Sequence, residues 1–92
     1  MPKAAIPDSD WVRYTAELGH SLHRLRIAKG LSQEEVAYRA GISRHTYYRL
    51  EKGLAGRGAP ANPGLRTIVA ISALLDVEPH ELLPTWTPDI EP

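Results

Sequence analysis

The residues of this sequence best suited to chemistry are basic side chains, and most of them lie in its middle. Residues 20–66 hold nine lysines and arginines against three glutamates, a charge of +6. Residues 67–92 hold five acidic residues and no basic one, and the whole chain is neutral, with 11 residues of each sign. A chain polarised in this way can present a basic face to a polyanion, although a solvated surface with uneven charge explains the same counts.

The sequence gives less support to a metal site or a catalytic nucleophile than to a basic binding surface. Glu17, His20 and His23 share one helical face at metal-ligand spacing, but a fourth ligand is missing. The chain has no cysteine, which excludes a thiolate zinc site, a cysteine nucleophile and disulfide bonds. No side chain resembles an activated nucleophile beside its base. We therefore expect no catalytic residue, no metal and no cofactor, and the protein is predicted not to be an enzyme.

Length and composition indicate one soluble globular domain. The chain has 92 residues, of which 42% are apolar and 24% charged. The longest apolar stretch, residues 68–75, is less than half a membrane span and contains Ser72. Residues 1–7 are broken by proline and lack the apolar region of a signal peptide. We expect a cytoplasmic location and no membrane partner.

The spacing of apolar residues predicts an all-α fold of five short helices without strands. The first helix is predicted from about Asp10 to Lys29, because its apolar residues recur at intervals of three and four. Gly30 supplies its stop. The apolar set of this helix is Trp11, Tyr14, Leu18, Leu22 and Leu25.

Capping residues predict the next two helices. Ser32 and Glu35 have the spacing of a capping box and start a helix that ends at Gly41. Ser43 caps a third helix, residues 44–52. The stretch that follows is rich in glycine, alanine and proline and is predicted to form a surface loop.

That loop, residues 53–64, leads into a fourth helix with Pro63 predicted in its first turn. The apolar set of the fourth helix is Leu65, Ile68, Val69, Ile71, Leu74 and Leu75. Pro79 opens and Pro84 closes a last helical turn, which is docked by Leu82 and Leu83.

Three segments follow from these elements. Residues 1–10 are predicted to be a flexible N-terminal segment, residues 11–83 the folded domain, and residues 84–92 a proline-rich tail. Three prolines, at positions 84, 88 and 92, disfavour regular structure in that tail.

The connection between the second and third helices carries the most specific signal. Its three residues, Gly41-Ile42-Ser43, force the helices to cross steeply, and Ala37 is small enough for a close crossing. This is a helix-turn-helix pattern. Residues 18–83 resemble the phage-repressor/Cro-type (XRE) helix-turn-helix domain, and the matching stretches are LGHSLHRLRIAKGLSQEEVA, AGISRHTYYRLEKG and NPGLRTIVAISALLDV. The resemblance implies an all-α, five-helix lambda-repressor-like DNA-binding domain with the helix-turn-helix at helices two and three.

The resemblance also implies candidate DNA contacts. In the family the second motif helix, here residues 44–52, lies in the major groove, where an arginine fork matches O6 and N7 of guanine. Gln33 matches a position that binds phosphate at a helix start, and Lys52 and Arg57 are placed to neutralise phosphates. For each of these residues the alternative is an ordinary surface or packing role. The candidate set is Gln33, Ser43, Arg44, His45, Tyr48, Arg49, Lys52 and Arg57.

Other matching positions have a structural interpretation. Arg26 and Glu51 match a family pair that forms a largely buried ion bridge between the first and third helices. Tyr47 stands where the family usually buries a branched aliphatic residue, so its ring either fills the core or turns outward. The loop after Gly53 is several residues longer than is usual in the family.

Together these features predict a sequence-specific duplex-DNA-binding transcriptional regulator. With no appended sensor domain and no evident small-molecule effector, it is expected to act by occupancy as a homodimer on a roughly palindromic operator. The dimer interface is expected on the last two helices, with Leu82, Leu83 and Trp86 as candidates. The alternative is a protein-interaction module that retains the fold without DNA binding, although such a module has no need for two arginines and a histidine on the groove-facing surface.

Overall fold

The computed structural model describes residues 6–90, which form five α-helices and one short 3-10 turn. The described residues contain no β-strand, so the predicted all-α, five-helix fold is confirmed. Residues 1–5 of the predicted flexible N-terminal segment lie outside the described residues. The helices are α1 (Asp8–Lys29), α2 (Gln33–Ala40), α3 (Arg44–Glu51), α4 (Leu65–Leu74) and α5 (Pro79–Leu82).

Helix α1 begins at Asp8, two residues before the predicted start. Asp8 and Asp10 favour this start, because carboxylates stabilise the positive end of the helix dipole. At the other end Gly30 has a left-handed φ of 71° and its N–H caps the carbonyls of the last turn, as predicted. Residues 8–10 are therefore helical rather than part of a flexible segment.

The caps predicted for α2 and α3 are present. The Ser32 hydroxyl accepts the N–H of Glu35 at 3.0 Å, and the Glu35 carboxylate accepts the N–H of Ser32 at 3.0 Å. The Ser43 hydroxyl accepts the N–H of Thr46 at 3.0 Å. Helix α3 ends at Glu51, one residue before the predicted end. These bonds satisfy N–H groups that the first turn of a helix would otherwise leave unpaired.

The core lies where α1, α2, α3 and α4 meet. Helices α1 and α3 approach closely at Gly19, where a Cβ would collide with the backbone carbonyl of Glu51. A larger residue at position 19 would therefore separate the two helices. The buried apolar residues are Leu18, Leu22, Val36, Ala37, Tyr47, Leu50, Ala61, Ile68, Ile71, Leu75 and Leu82.

The structure settles the alternative that the sequence left open for Tyr47. Its ring fills the core and is 0% exposed. Its hydroxyl is also buried and has no hydrogen-bond partner among the described residues. Burial raises the pKa of Tyr47 above its ordinary value.

The start of α4 differs from the prediction. Pro63 lies before the helix, because Gly64 is the N-cap and Leu65 the first helical residue. Leu65 and Val69, both in the apolar set predicted for this helix, are 77% and 46% exposed. Leu65 lies in the first turn, at the edge of the core, and Val69 is turned about 100° around the helix from the buried Ile68.

The residues after α5 pack against α1. The ring of Trp86 lies edge-on to that of Tyr14, with the ring centroids 5.4 Å apart, and the Arg13 guanidinium carbon lies 4.3 Å from the Trp86 centroid. Trp86 Nε1 donates to the Glu17 carboxylate at 3.0 Å. Leu82 is 0% exposed and belongs to the core. No helix among residues 6–90 combines the length and apolar character needed to cross a membrane.

Candidate nucleic-acid interface

The turn between α2 and α3 orients the second helix of the motif. Gly41 has a left-handed φ of 75°, and the N–H of Ile42 donates to the carbonyl of Ala37 at 3.0 Å. Ala37 is 1% exposed, which is consistent with the close crossing predicted from its small size. Helix α3 is therefore held by its inner face, and its outer face is left to solvent.

The two faces of α3 carry different kinds of residue. Tyr47, Leu50 and Glu51 are buried. The outer face carries exposed polar and aromatic side chains, and three of them line one shallow surface groove: Arg44, His45 and Tyr48. The structure thus brings together three of the residues predicted to face DNA.

The remaining candidates on or next to α3 flank this groove. Lys52 is exposed, and its Nζ lies 5.4 Å from the centroid of the Tyr48 ring. Arg49 is half-buried and lines a second groove, between α3 and α4. The Ser43 hydroxyl is engaged in capping, because it also donates to the Thr46 hydroxyl at 2.8 Å. The Ser43 side chain therefore caps α3, and a contact of Ser43 with DNA would have to come from its backbone.

Gln33 lies at the start of α2 but is tied to α3. Its amide Nε2 donates to Glu51 Oε1 at 3.0 Å, and its side chain is half-buried. A shallow depression beside it is lined by Arg26, Ser32, Gln33, Glu34 and Arg44. Arg44 itself makes only a loose contact with Glu34, at 3.9 Å, with both side chains more than 70% exposed. A contact of this kind on the surface leaves the arginine available to another partner.

Beneath this surface lies the ion pair that the sequence predicted. Arg26 Nε donates to Glu51 Oε2 at 2.6 Å and Arg26 Nη2 to Glu51 Oε1 at 3.2 Å, and each residue is 8% exposed. Arg26 Nη1 also donates to the carbonyl of Leu31 at 3.0 Å. Because one guanidinium serves α1, α3 and the α1–α2 connection, the pair fixes the position of the motif on α1.

The pair also determines the charge of Glu51. Burial alone would raise the pKa of this carboxyl, but hydrogen bonds from Arg26, Gln33 and His23, together with the nearby Tyr47 hydroxyl, outweigh it and lower the pKa from 4.5 to about 2. The same hydrogen bond raises the pKa of Arg26. Glu51 is therefore ionised throughout the physiological range.

His23 is a member of this network that the sequence reasoning did not identify. Its Nδ1 lies 3.1 Å from Glu51 Oε1 and 3.2 Å from Arg26 Nη2. Nδ1 can accept from Arg26 or donate to Glu51, depending on the tautomer. The signal available in the sequence was its position three residues before Arg26, which puts both side chains on one face of α1.

The stretch predicted to be a surface loop closes into a small hairpin, residues 54–60. The N–H of Ala55 donates to the carbonyl of Ala59 at 2.7 Å, and Leu54 and Pro60 form an antiparallel bridge. The tip is a single 3-10 turn, Gly56–Gly58, with Arg57 exposed at its centre. Arg57 is thus exposed at the tip of the hairpin, and its neighbour Gly56 lines the same groove as Arg49.

Comparison with known proteins agrees with this geometry. A family model described as a helix-turn-helix domain matches residues 17–85. The crystal structure of the restriction-modification controller protein C.AhdI from Aeromonas hydrophila is similar, with a TM-score of 0.65 and 35% identity over 82% of this chain and 98% of that one. A crystal structure of SinR, a master regulator for biofilm formation, in complex with DNA has a TM-score of 0.61 and 31% identity over 71% of this chain and 95% of that one.

A relative found by sequence is also a helix-turn-helix protein. The transcriptional regulator SinR of Bacillus subtilis is 32% identical over 66 residues, which is 72% of this chain and 55% of the relative. The chain thus spans about half the length of that protein. The family model covers the whole of α2, α3, α4 and α5 and α1 from residue 17 onward. The chain belongs to the helix-turn-helix domain family of the XRE type.

Proposed function

We propose that the chain binds duplex DNA in a sequence-specific manner as a homodimer and regulates transcription by occupying its operator. The observation that carries this proposal is the division of α3 into a buried face, with Tyr47, Leu50 and Glu51, and an exposed face, with Arg44, His45 and Tyr48. A rigidly seated helix with exposed hydrogen-bond donors can read base edges in a major groove. That a similar chain has been solved in complex with DNA supports the same conclusion.

Each candidate residue has a distinct role in this proposal. Arg44, His45 and Arg49 face base edges, where an arginine fork can pair with guanine. The other candidates face phosphates and fix the register of α3 on the duplex. This second group comprises Gln33, Ser43, Tyr48 and Lys52, and Arg57 adds a positive charge on the hairpin.

The homodimer is the part of the proposal that places two copies of α3 on a roughly palindromic site. Two of the residues that the sequence suggested for its interface make contacts within the domain. Leu82 is 0% exposed within its own core, and Trp86 packs on α1. We therefore propose a contact that uses neither side chain and leaves the outer face of α3 free.

Selection of bound duplexes from a random pool tests the proposal directly. The enriched site is then titrated against wild type, Arg44→Ala, Arg49→Ala and Lys52→Ala at several salt concentrations. The two arginine variants should lose preference at particular base pairs, by about 1–3 kcal/mol each. Lys52→Ala should weaken binding to all sequences alike and reduce the salt slope by about one unit per half-site.

Arg24→Ala is the matched control, because Arg24 is an exposed arginine on α1 outside the candidate set. It should leave sequence preference unchanged. If all three candidate variants lower the affinity for selected and scrambled duplexes equally, α3 contacts only the phosphate backbone of the DNA. The proposed sequence-specific readout is then wrong. If wild type enriches no sequence and shows no salt-sensitive DNA affinity, the protein-interaction alternative is favoured instead.

A further inference from the structure

One oxygen of the buried Glu51 carboxylate is surrounded by three side chains from two other helices. Gln33 Nε2 on α2 lies 3.0 Å from Glu51 Oε1, and Arg26 Nη2 and His23 Nδ1 on α1 lie at 3.2 and 3.1 Å. The second oxygen, Oε2, accepts from Arg26 Nε at 2.6 Å. A carboxylate oxygen offers about two lone-pair sites. Three neighbours therefore compete for two sites on Oε1.

His23 Nδ1 has two possible partners and can bond to only one of them at a time. Arg26 Nη2, 3.2 Å away, carries hydrogens and no free lone pair, whereas the ionised Glu51 Oε1 carries lone pairs and no hydrogen. Without a proton, Nδ1 can accept from Arg26. With a proton it can donate to Glu51, and a doubly protonated ring always carries that proton. The His23 side chain is 59% exposed, so its ring exchanges protons with solvent.

We propose that His23 is a positioning residue for Gln33, and that its protonation moves the Gln33 amide from Glu51 to a DNA phosphate. This inference rests on the proposed function, in which Gln33 contacts phosphate at the start of α2. Protonated His23 donates a charge-assisted bond to Oε1, and such bonds are stronger than neutral ones. Arg26 stays in place, because its Nε bond to Oε2 and its Nη1 bond to the Leu31 carbonyl hold the guanidinium. The neutral Gln33 amide is then the weakest of the three donors and leaves Oε1.

The charge of the cluster acts in the same direction. Arg26 and Glu51 carry opposite charges, so protonation of His23 adds an uncompensated positive charge. The cluster adjoins the shallow depression that Arg26, Gln33 and Arg44 help to line. The added charge attracts a phosphate placed in this depression. Acidification should therefore strengthen DNA binding, and bound DNA should favour the protonated ring.

Within the cluster, His23 is the group whose charge changes between about pH 5.5 and 8, because imidazole side chains titrate in this range. Glu51 stays ionised, since its hydrogen bonds hold its pKa at about 2. The bond to Glu51 raises the pKa of Arg26, and burial raises the pKa of Tyr47, so both keep their protons. Further charged or titratable side chains on the same three helices or at their ends are His20, Glu34, Arg44 and Lys52.

The experiment titrates the enriched duplex against the full chain at constant ionic strength, between about pH 5.5 and 8. The reference protein is His45→Gln, because His45 on the exposed face of α3 would add a proton-dependent contact of its own. The affinity of this reference should increase about fivefold or more as pH falls across the range. One proton taken up on binding changes the affinity by up to about tenfold per pH unit.

Three further substitutions in the reference protein isolate the mechanism. His23→Gln removes the titrating ring, and at every pH it should bind with the affinity that the reference shows at about pH 8. Gln33→Ala should bind more weakly and lose most of the pH dependence, because His23 acts through the Gln33 amide. His20→Gln is the matched control, since it removes an exposed histidine one turn away on α1, and it should keep the full pH dependence. Circular dichroism checks that each variant is folded at every pH used.

A second measurement needs no DNA. In proton NMR of the reference chain alone, the side-chain amide signals of Gln33 should shift with the same pH midpoint as the ring signals of His23. They should stay fixed over this range in His23→Gln. Addition of the duplex should move the shared midpoint to higher pH, because the bound phosphate favours the protonated ring.

The outcomes separate this inference from the proposed function. An affinity that does not change with pH, a pH dependence that survives in His23→Gln, or one that is undiminished in Gln33→Ala overturns the positioning role and leaves sequence-specific binding in place. Gln33 amide signals that do not follow the His23 titration overturn it as well. Failure to enrich any duplex contradicts the proposed function, and the NMR titration of the free chain then decides whether His23 controls the Gln33 amide.

Discussion

At the scale of single residues, Glu51 has the largest structural role. Its carboxylate is buried and receives hydrogen bonds from Arg26 on α1 and Gln33 on α2. Glu51→Ala leaves the Arg26 charge buried without a partner, and it should lower the free energy of unfolding by about 3–5 kcal/mol. Urea denaturation measures this loss. Glu34→Ala, which removes an exposed carboxylate 3.9 Å from Arg44, should change stability by less than about 1 kcal/mol.

The outcome also tests the role assigned to Glu51. DNA binding by Glu51→Ala should decrease only to the extent that the variant is unfolded. A variant that is as stable as wild type and fails to bind would show that Glu51 is a DNA contact, and the structural assignment would then be wrong.

The same carboxylate predicts how stability depends on pH. Its pKa is lowered in the folded protein from 4.5 to about 2. A lowered pKa in the folded state means that the stabilisation is fully present above the unfolded value and is lost as pH falls through the folded value. The unfolding free energy of wild type should therefore decrease between about pH 4.5 and 2. In Glu51→Gln this contribution to the decrease should be absent, and an identical pH profile for the two proteins would contradict the lowered pKa.

A substitution at Tyr47 that keeps the ring should change stability very little. Its hydroxyl is buried without a hydrogen-bond partner among the described residues. Tyr47→Phe keeps the ring and removes a hydroxyl that makes no well-aligned hydrogen bond but helps to keep the pKa of Glu51 low, so the free energy of unfolding should change by less than about 1 kcal/mol. Thermal and urea denaturation measure it. A loss of more than about 1 kcal/mol would indicate that the hydroxyl has a partner in solution, such as a bound water.

At the scale of elements, local chemistry made the helix starts predictable. Ser32 and Glu35 determine a cap within one turn of helix, and the sequence therefore predicts the start of α2 without knowledge of its neighbours. The buried face of α4 depends on which neighbours it packs against, so the exposure of Leu65 and Val69 could not be read from their apolar character. The hairpin was missed because its bridge joins Leu54 and Pro60 across a turn that reads as ordinary loop composition.

The segment after α5 supplies a prediction at this scale. Truncation after Pro84 removes Trp86, whose ring contacts Tyr14 and whose Nε1 donates to Glu17. The truncated chain should be less stable than the full chain by about 1–2 kcal/mol. Sedimentation should give the same self-association constant for both chains, because Trp86 is engaged within its own domain. Ile90→Ala, which changes a side chain that is 67% exposed, is the control for stability.

A weaker self-association of the truncated chain would contradict this assignment. It would return Trp86 to the dimer interface, where the sequence alone had placed it.

At the scale of the whole molecule, fold and site differ in how far the sequence predicts them. The fold follows from repeated patterns, such as small residues at crossings and glycines at helix ends, and the structure and the comparisons confirm it. The candidate contacts are individual side chains on a solvated surface, where packing does not constrain the residue type. Arg44 and His45 can be placed on the outer face of α3 from the helical period, but their DNA partners depend on the operator.

The division of α3 between a buried and an exposed face has a consequence for how such regulators diversify. Fold-determining residues and partner-facing residues alternate along the same eight-residue helix, so each set can change while the other is kept. Under the proposed function, substitutions at Arg44, His45 and Tyr48 would alter recognition and leave the buried Glu51 and Leu50 in place. The same fold can thus carry different exposed residues on α3 and bind different sites, and these residues can be exchanged by design without changing the core.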